Sequence, residues 1–116
     1  MGCPARMQEI PGRVLAALLD LRERLGACFG ERLTDLRLFG SYSRGDWGPE
    51  SDVDVLVVIA ELNEQERRKL FYLAEDVYFD HEVPLSPLAL SSAEWSLLRA
   101  RQYLIADDIE REGIVL

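Results

Sequence analysis

Two aspartates one residue apart, Asp52 and Asp54, stand at the head of an apolar run, Val55-Leu56-Val57-Val58-Ile59-Ala60. In an extended chain, residues two apart point to the same side. At about 3.3 Å per residue, the two carboxylates stand roughly 6–7 Å apart along one face. Like charges so placed, at the start of a buried strand, raise each other's pKa unless a cation joins them. Mg²⁺ suits such a pair, because it takes hard oxygen ligands, commonly one or two carboxylates plus substrate phosphates. Ten residues separate Asp52 from Gly40-Ser41. Gly40 has no Cβ, so a phosphate can approach its backbone closely. A helical turn opening there favours an anion. Ser41 adds a hydroxyl donor, and Arg44 offers a planar fork to phosphate oxygens. A phosphate cradle and metal-binding carboxylates on adjacent strands are the parts needed for two-metal transfer of a nucleotidyl group.

The flanking sequence supplies elements to hold these groups. Leu36, Leu38 and Phe39 make a short strand running into Gly40-Ser41, and residues 42–51 are loop-like, punctuated by Gly45, Gly48 and Pro49. Val53 to Ile59, rich in β-branched residues, reads as a strand buried on both faces. Upstream, Val14, Leu18, Leu21, Leu25 and Cys28 recur at helical steps after Pro11, and Gly30 ends that helix. Asn63 with Glu66 fits a capping box opening a helix that buries Leu70, Leu73, Ala74 and Val77. A third strand spans Val83 to Leu90, and Pro84 and Pro87 place it at a sheet edge. Ser91 with Glu94 repeats the capping pattern, with Trp95, Leu98 and Tyr103 inside the helix that follows. Ile105 and Ile109 mark a last amphipathic stretch, stopped by Gly113. The order is helix, strand, loop, strand, helix, strand, helix. It predicts an α/β or α+β domain with a small mixed sheet and flanking helices.

At 116 residues, the chain reads as one domain, 1–116, with residues 1–9 as a flexible lead-in. Acidic residues number 21 and basic ones 13, a formal charge of −8. Such a surface repels phosphate backbones, which argues against a nucleic-acid partner while leaving room for a metal-bound nucleotide. Cys3 and Cys28 form no CxxC pair, the longest apolar run is too short to span a membrane, and residues 1–10 contain no apolar leader. A cytoplasmic location is expected.

At Gly40-Ser41, the ten-residue gap and Asp52-x-Asp54, the chain resembles the nucleotidyltransferase superfamily typified by DNA polymerase β. The string GSYSRGDWGPESDVDVLVV is closest to its minimal nucleotidyltransferase (MNT) branch, and LSPLALSSAEW and DDIEREGIVL extend the resemblance over residues 33 to the end. The resemblance implies a minimal nucleotidyltransferase fold, in which Gly40, Ser41 and Arg44 bind the triphosphate of ATP or another NTP and Asp52 and Asp54 hold Mg²⁺. It also implies a third carboxylate from the third strand. Where relatives read V-D-L-S-P, this chain reads Val83-Pro84-Leu85-Ser86-Pro87. Glu82, two residues before Pro84 and on the same face of a regular strand, is the preferred substitute; Asp80 is the other.

Many MNT proteins of this size neutralise a HEPN-domain toxin encoded beside them, some by transferring AMP to a toxin tyrosine. The resemblance therefore implies a protein adenylyltransferase working in such a toxin–antitoxin pair, with homo- or hetero-oligomers open. The rival reading, drawn from Pro84, is a catalytically degenerate MNT fold acting as a non-enzymatic antitoxin or nucleotide-binding module. His81, the only histidine, reads as a packing or surface residue. Trp47 is placed either to stack on a base or to pack under its own loop. The charged run Glu64 to Lys69 reads as a solvated helix face, and Arg44 with Asp46 admits a plain surface ion pair.

Overall fold

A computed structural model of the chain describes residues 9–116. The expected lead-in therefore lies outside the described residues, apart from exposed Glu9.

Helix α1, Gly12–Phe29, buries Val14, Ala17, Leu18, Leu21, Leu25 and Phe29, the stripe its three- and four-residue spacing predicts. A single 3₁₀ turn, Gly30–Arg32, leads into β1, Leu33–Phe39. One helical turn follows, α2, Ser41–Arg44, and after the loop comes β2, Val53–Ile59. Helix α3, Glu64–His81, opens with the predicted capping box: Glu66 N–H donates to Asn63 Oδ1 at 2.8 Å, and Asn63 N–H donates to Glu66 Oε1 at 3.2 Å. Strand β3, Leu85–Ser91, and helix α4, Ser92–Ala100, come next, the latter again opened by a capping box from Ser91 and Glu94. Helix α5, Leu104–Glu112, and a two-residue strand β4, Ile114–Val115, complete the described chain.

The sheet order is β3-β2-β1-β4. Strand β1 is antiparallel to β2 and β4, while β2 and β3 are parallel and joined through α3. The mixed sheet and the edge position of the proline-bearing strand are thus as the sequence predicts. On one face, Val53, Val55, Val57 and Ile59 pack with α1 and with Leu70 and Val77 of α3. On the other, Leu56 and Val58 meet Trp95 of α4 and Ala106 and Ile109 of α5. Every β2 side chain from Val55 to Ile59 is buried, which explains why the run does not alternate.

Three expectations are corrected. Tyr103 is not inside a helix: α4 stops at Ala100, Gln102 takes a positive φ of 57°, and exposed Tyr103 caps α5 instead. Glu64 to Lys69 is not simply solvated. Arg32 binds both carboxylate oxygens of Glu66 at 2.8 Å, and Arg67 bonds the Ala89 carbonyl and Glu94, tying α3 to the 3₁₀ turn, β3 and α4. Finally, Ile105 does not share the buried side of α5 with Ile109; the core side is Ala106 and Ile109, and Ile105 is exposed.

Candidate active site

Gly40 is the hinge between β1 and α2. Its backbone (φ 78°, ψ −152°) lies in a region that side chains other than glycine's hydrogen rarely enter. The reason lies next door: Phe39 pairs with Asp54 across the β1–β2 ladder, so Gly40 abuts the Asp54 side chain. A Cβ at Gly40 would run into Asp54 Oδ2 and stand 3.1 Å from its Cγ. The Gly40 carbonyl in turn accepts the N–H groups of Ser43 and Arg44 at 3.1 Å each and the buried Ser43 hydroxyl at 3.0 Å. These bonds fix the single turn of α2. By helix geometry the N–H groups of Ser41 and Tyr42 have no carbonyl within the helix, and Gly40 and Ser41 line the cleft beside Asp54.

That cleft, about 600 Å³, is lined by Gly40, Ser41, Arg44, Asp52 and Asp54. Five of the six residues expected to bind nucleotide or metal, or to act in catalysis, are brought together there. Asp52 and Asp54 lie on the β2 face that carries Leu56 and Val58. Asp52 is exposed at the strand entrance and Asp54 is half-buried. Burial pushes the Asp54 carboxyl above its ordinary value, the charge of Asp52 adds to the rise, and the Arg44 guanidinium pulls the other way.

A half-buried carboxylate beside a second one is a poor arrangement for the protein alone and a good one for a divalent cation. Both donors are hard oxygens, as Mg²⁺ prefers. Among the described residues, no group of three or more His, Cys, Asp or Glu side chains sits close enough to hold a metal ion. The pair therefore fits a cation that takes its remaining ligands from phosphate and water.

The sixth expected residue, Glu82, is not in this cleft. It forms the C-cap of α3 with a left-handed backbone (φ 56°, ψ 37°), and β3 begins only at Leu85. The alternation that would put Glu82 on the Asp52 side does not extend through that turn. Asp80 is further removed, inside α3 and paired with Arg24 of α1 at 2.5 Å. Across the sheet from the aspartates, Pro84 accepts from Val53 N–H at 2.9 Å and Ser86 is in register with Asp54. Strand β3 thus presents no carboxylate to the pair.

The far wall of the cleft went unforeseen. It is formed by Ile105, Asp108 and Glu112, one face of α5 at steps of three and four residues. That spacing was visible in the sequence; what was not was the packing of Ala106 and Ile109 on Leu56 and Val58, which turns this face toward the site. Arg44 spans the gap, with Nε 3.3 Å from Asp46 and Nη1 3.8 Å from Glu112. Trp47 does not face the cleft: its ring stacks on Tyr42 at 5.2 Å between centroids and 10° between planes, which is packing within its own loop. His81 bonds Asp20 of α1 at 2.9 Å and belongs to the α1–α3 seam.

A family model described as nucleotidyltransferase domain matches residues 18–113. The chain is 29% identical over 76 residues to "Putative protein adenylyltransferase MJ0141" of Methanocaldococcus jannaschii, covering 65% of this chain and 77% of that one. Its fold resembles that of a toxin–antitoxin crystal structure with AMP-PNP, at a TM-score of 0.56 and 22% identity, covering 82% of this chain and 68% of that one. A variant of the MntA-HpeT toxin–antitoxin is similar to the same degree, at a TM-score of 0.56, 20% identity and coverage of 81% and 68%.

Proposed function

The chain belongs to the nucleotidyltransferase domain family, and from that premise we propose that it transfers a nucleoside monophosphate, AMP from ATP, to a hydroxyl of a partner protein with Mg²⁺ as cofactor. One observation carries this reading: the Gly40 hinge and the Asp52–Asp54 pair, distant in sequence, meet in one cleft with Gly40 backed directly onto Asp54. The metal, when bound, neutralises phosphate charge and polarises the α-phosphorus.

The residues then divide the work. The Gly40-Ser41 backbone and the Ser41 hydroxyl hold the triphosphate where the missing Cβ leaves room. Arg44 leaves its carboxylate partners for the phosphate oxygens, a stronger charge-assisted bond than an exposed ion pair. Asp52 and Asp54 would hold the cation through their carboxylate oxygens. The acceptor oxygen attacks the α-phosphorus in line, the bond to the bridging oxygen breaks, and pyrophosphate leaves. Both aspartates serve the cation in their ionised form, and the hydroxyl proton leaves to water or to a base carried by the partner. Glu82, in the turn before β3 and outside this cleft, is given no role in the reading.

A protein acceptor is supported by the similarity to a putative protein adenylyltransferase of Methanocaldococcus jannaschii and by the toxin–antitoxin fold neighbours. We take the partner to be a toxin of the HEPN class, and the chain to be its antitoxin. Radiolabelled ATP, supplied with Mg²⁺ and the co-expressed partner, should label the partner, and Asp54→Asn should lose the label. Equal labelling by that variant overturns the assignment. The non-enzymatic reading rests on Pro84 standing where relatives carry a carboxylate. It predicts neutralisation of the toxin in cells by Asp52→Asn and Asp54→Asn, with no label transferred by the wild type.

A further inference from the structure

A second depression, about 560 Å³, lies between Phe71, Glu75 and Tyr78 of α3 and Pro84, Leu85 and Pro87 at the start of β3. The helix side is unusually apolar for a surface: Phe71, Tyr72, Tyr78 and Phe79 are 42%, 59%, 52% and 82% exposed. Phe71 and Tyr78, seven residues and two turns apart, line the groove, and Tyr72 and Phe79 form a second column about 100° further round the helix. Contiguous exposed aromatics of this kind mark interaction surfaces more often than ordinary solvent faces.

The edge of the sheet narrows what can sit there. A strand would need the outward N–H and C=O groups of β3. The Ala89 carbonyl is taken by the Arg67 guanidinium. Pro87, two residues earlier and so directed to the same side, has no N–H to offer. Side chains, not backbone, must therefore fill the groove, as a helix lying along α3 would do. Charge narrows it further. Glu75 and Glu82 line the groove, both exposed, on a chain of net charge −8. A second copy would bring the same acids against them, whereas a cationic partner is attracted. Ser86, which lines the groove, is in register with Asp54 on the neighbouring strand, but the α3 side of the groove and the aspartates lie on opposite faces of the sheet, linked around the β3 edge.

We propose that the α3–β3 groove seats a basic helix with an apolar face, belonging to the protein that accepts the nucleotidyl group. A segment flanking such a helix would reach Asp54 by passing around the β3 edge of the sheet. The proposal rests on the transferase reading for the identity of the occupant, but its binding test needs no nucleotide.

The probe is a fluorescein-labelled amphipathic helical peptide of leucine and lysine, compared with its leucine and glutamate counterpart, by anisotropy against the full chain. The wild type should bind the lysine peptide with 1:1 stoichiometry and prefer it to the glutamate peptide. The Phe71→Glu/Tyr78→Glu variant should weaken binding at least tenfold, although it adds negative charge and would strengthen any diffuse attraction. Glu75→Lys, at an exposed position, should weaken binding, and Asp54→Asn should bind as the wild type does. Unchanged binding by the groove variants, or a preference for the acidic peptide, overturns the proposal. So does a wild-type homodimer that Phe71→Glu/Tyr78→Glu dissolves, which would give the groove to a second copy. Failure of the transferase reading shows separately, as loss of magnesium-dependent ATP binding with peptide binding intact.

Discussion

Gly40 and Asp54 are in direct contact: the space a Cβ would occupy on Gly40 is filled by the Asp54 carboxylate. The α2 turn and strand β2, proposed to hold phosphate and metal, therefore have interlocking shapes. Gly40→Ala should cost about 1–3 kcal/mol from backbone strain alone, because its φ of 78° is unsuited to alanine. It should also push Asp54 aside and weaken ATP binding by more than tenfold. Urea unfolding and calorimetry on the same preparation check both effects; a variant with wild-type affinity would show that the contact does not matter.

The raised pKa of Asp54 sets the sign of a second prediction. The folded chain holds that proton to higher pH than the unfolded chain does. Stability is therefore lost as pH rises through the window between the two values, and the penalty is fully present at neutral pH. Asp54→Asn should raise the melting temperature of the nucleotide-free protein at pH 7, with the gain vanishing in acid. The same variant should abolish the further rise that Mg²⁺ and ATP give the wild type.

Glu66 behaves in the opposite sense. Arg32 and the Asn63 cap lower its pKa from 4.5 to about 2. The folded value lies below the unfolded one, so its stabilisation is complete above about 4.5 and is lost as pH falls toward 2. Glu66→Gln should lower the urea midpoint above pH 4.5 and leave it nearly unchanged near pH 2, so that the acid limb measured from pH 2 to 6 flattens.

Ile109 is fully buried against Leu56 and Val58 and holds α5 on the sheet. Ile109→Ala should cost about 2–5 kcal/mol. Because α5 also carries Asp108 and Glu112, nucleotide affinity should fall as well. A loss of stability without any loss of affinity would show that the far wall is passive.

The fold was legible wherever local chemistry and burial agreed. The β-branched run at Val53 to Ile59 can only be a buried strand, and the two capping boxes announce α3 and α4 without tertiary information. The site was legible to the same degree, since Gly40, Ser41, Arg44, Asp52 and Asp54 line a common cleft. What failed depended on single backbone angles. Glu82 and Gln102 adopt positive φ without a glycine to signal it, so the chain turns where parity or helical spacing assumed it continued. Strand β4 is two residues long and exists only by pairing with Arg37 and Leu38, a long-range contact that leaves no local pattern.

The central claim is a magnesium-dependent nucleotide site built on Gly40, Ser41, Asp52 and Asp54. Isothermal titration of ATP into the purified chain, with and without Mg²⁺, for the wild type and for Asp52→Asn/Asp54→Asn, tests it most directly. The wild type should bind one ATP only when Mg²⁺ is present, and the double variant should not bind in either condition. Equal binding by both proteins, or no binding by a well-folded wild type alone or with its partner, would contradict it.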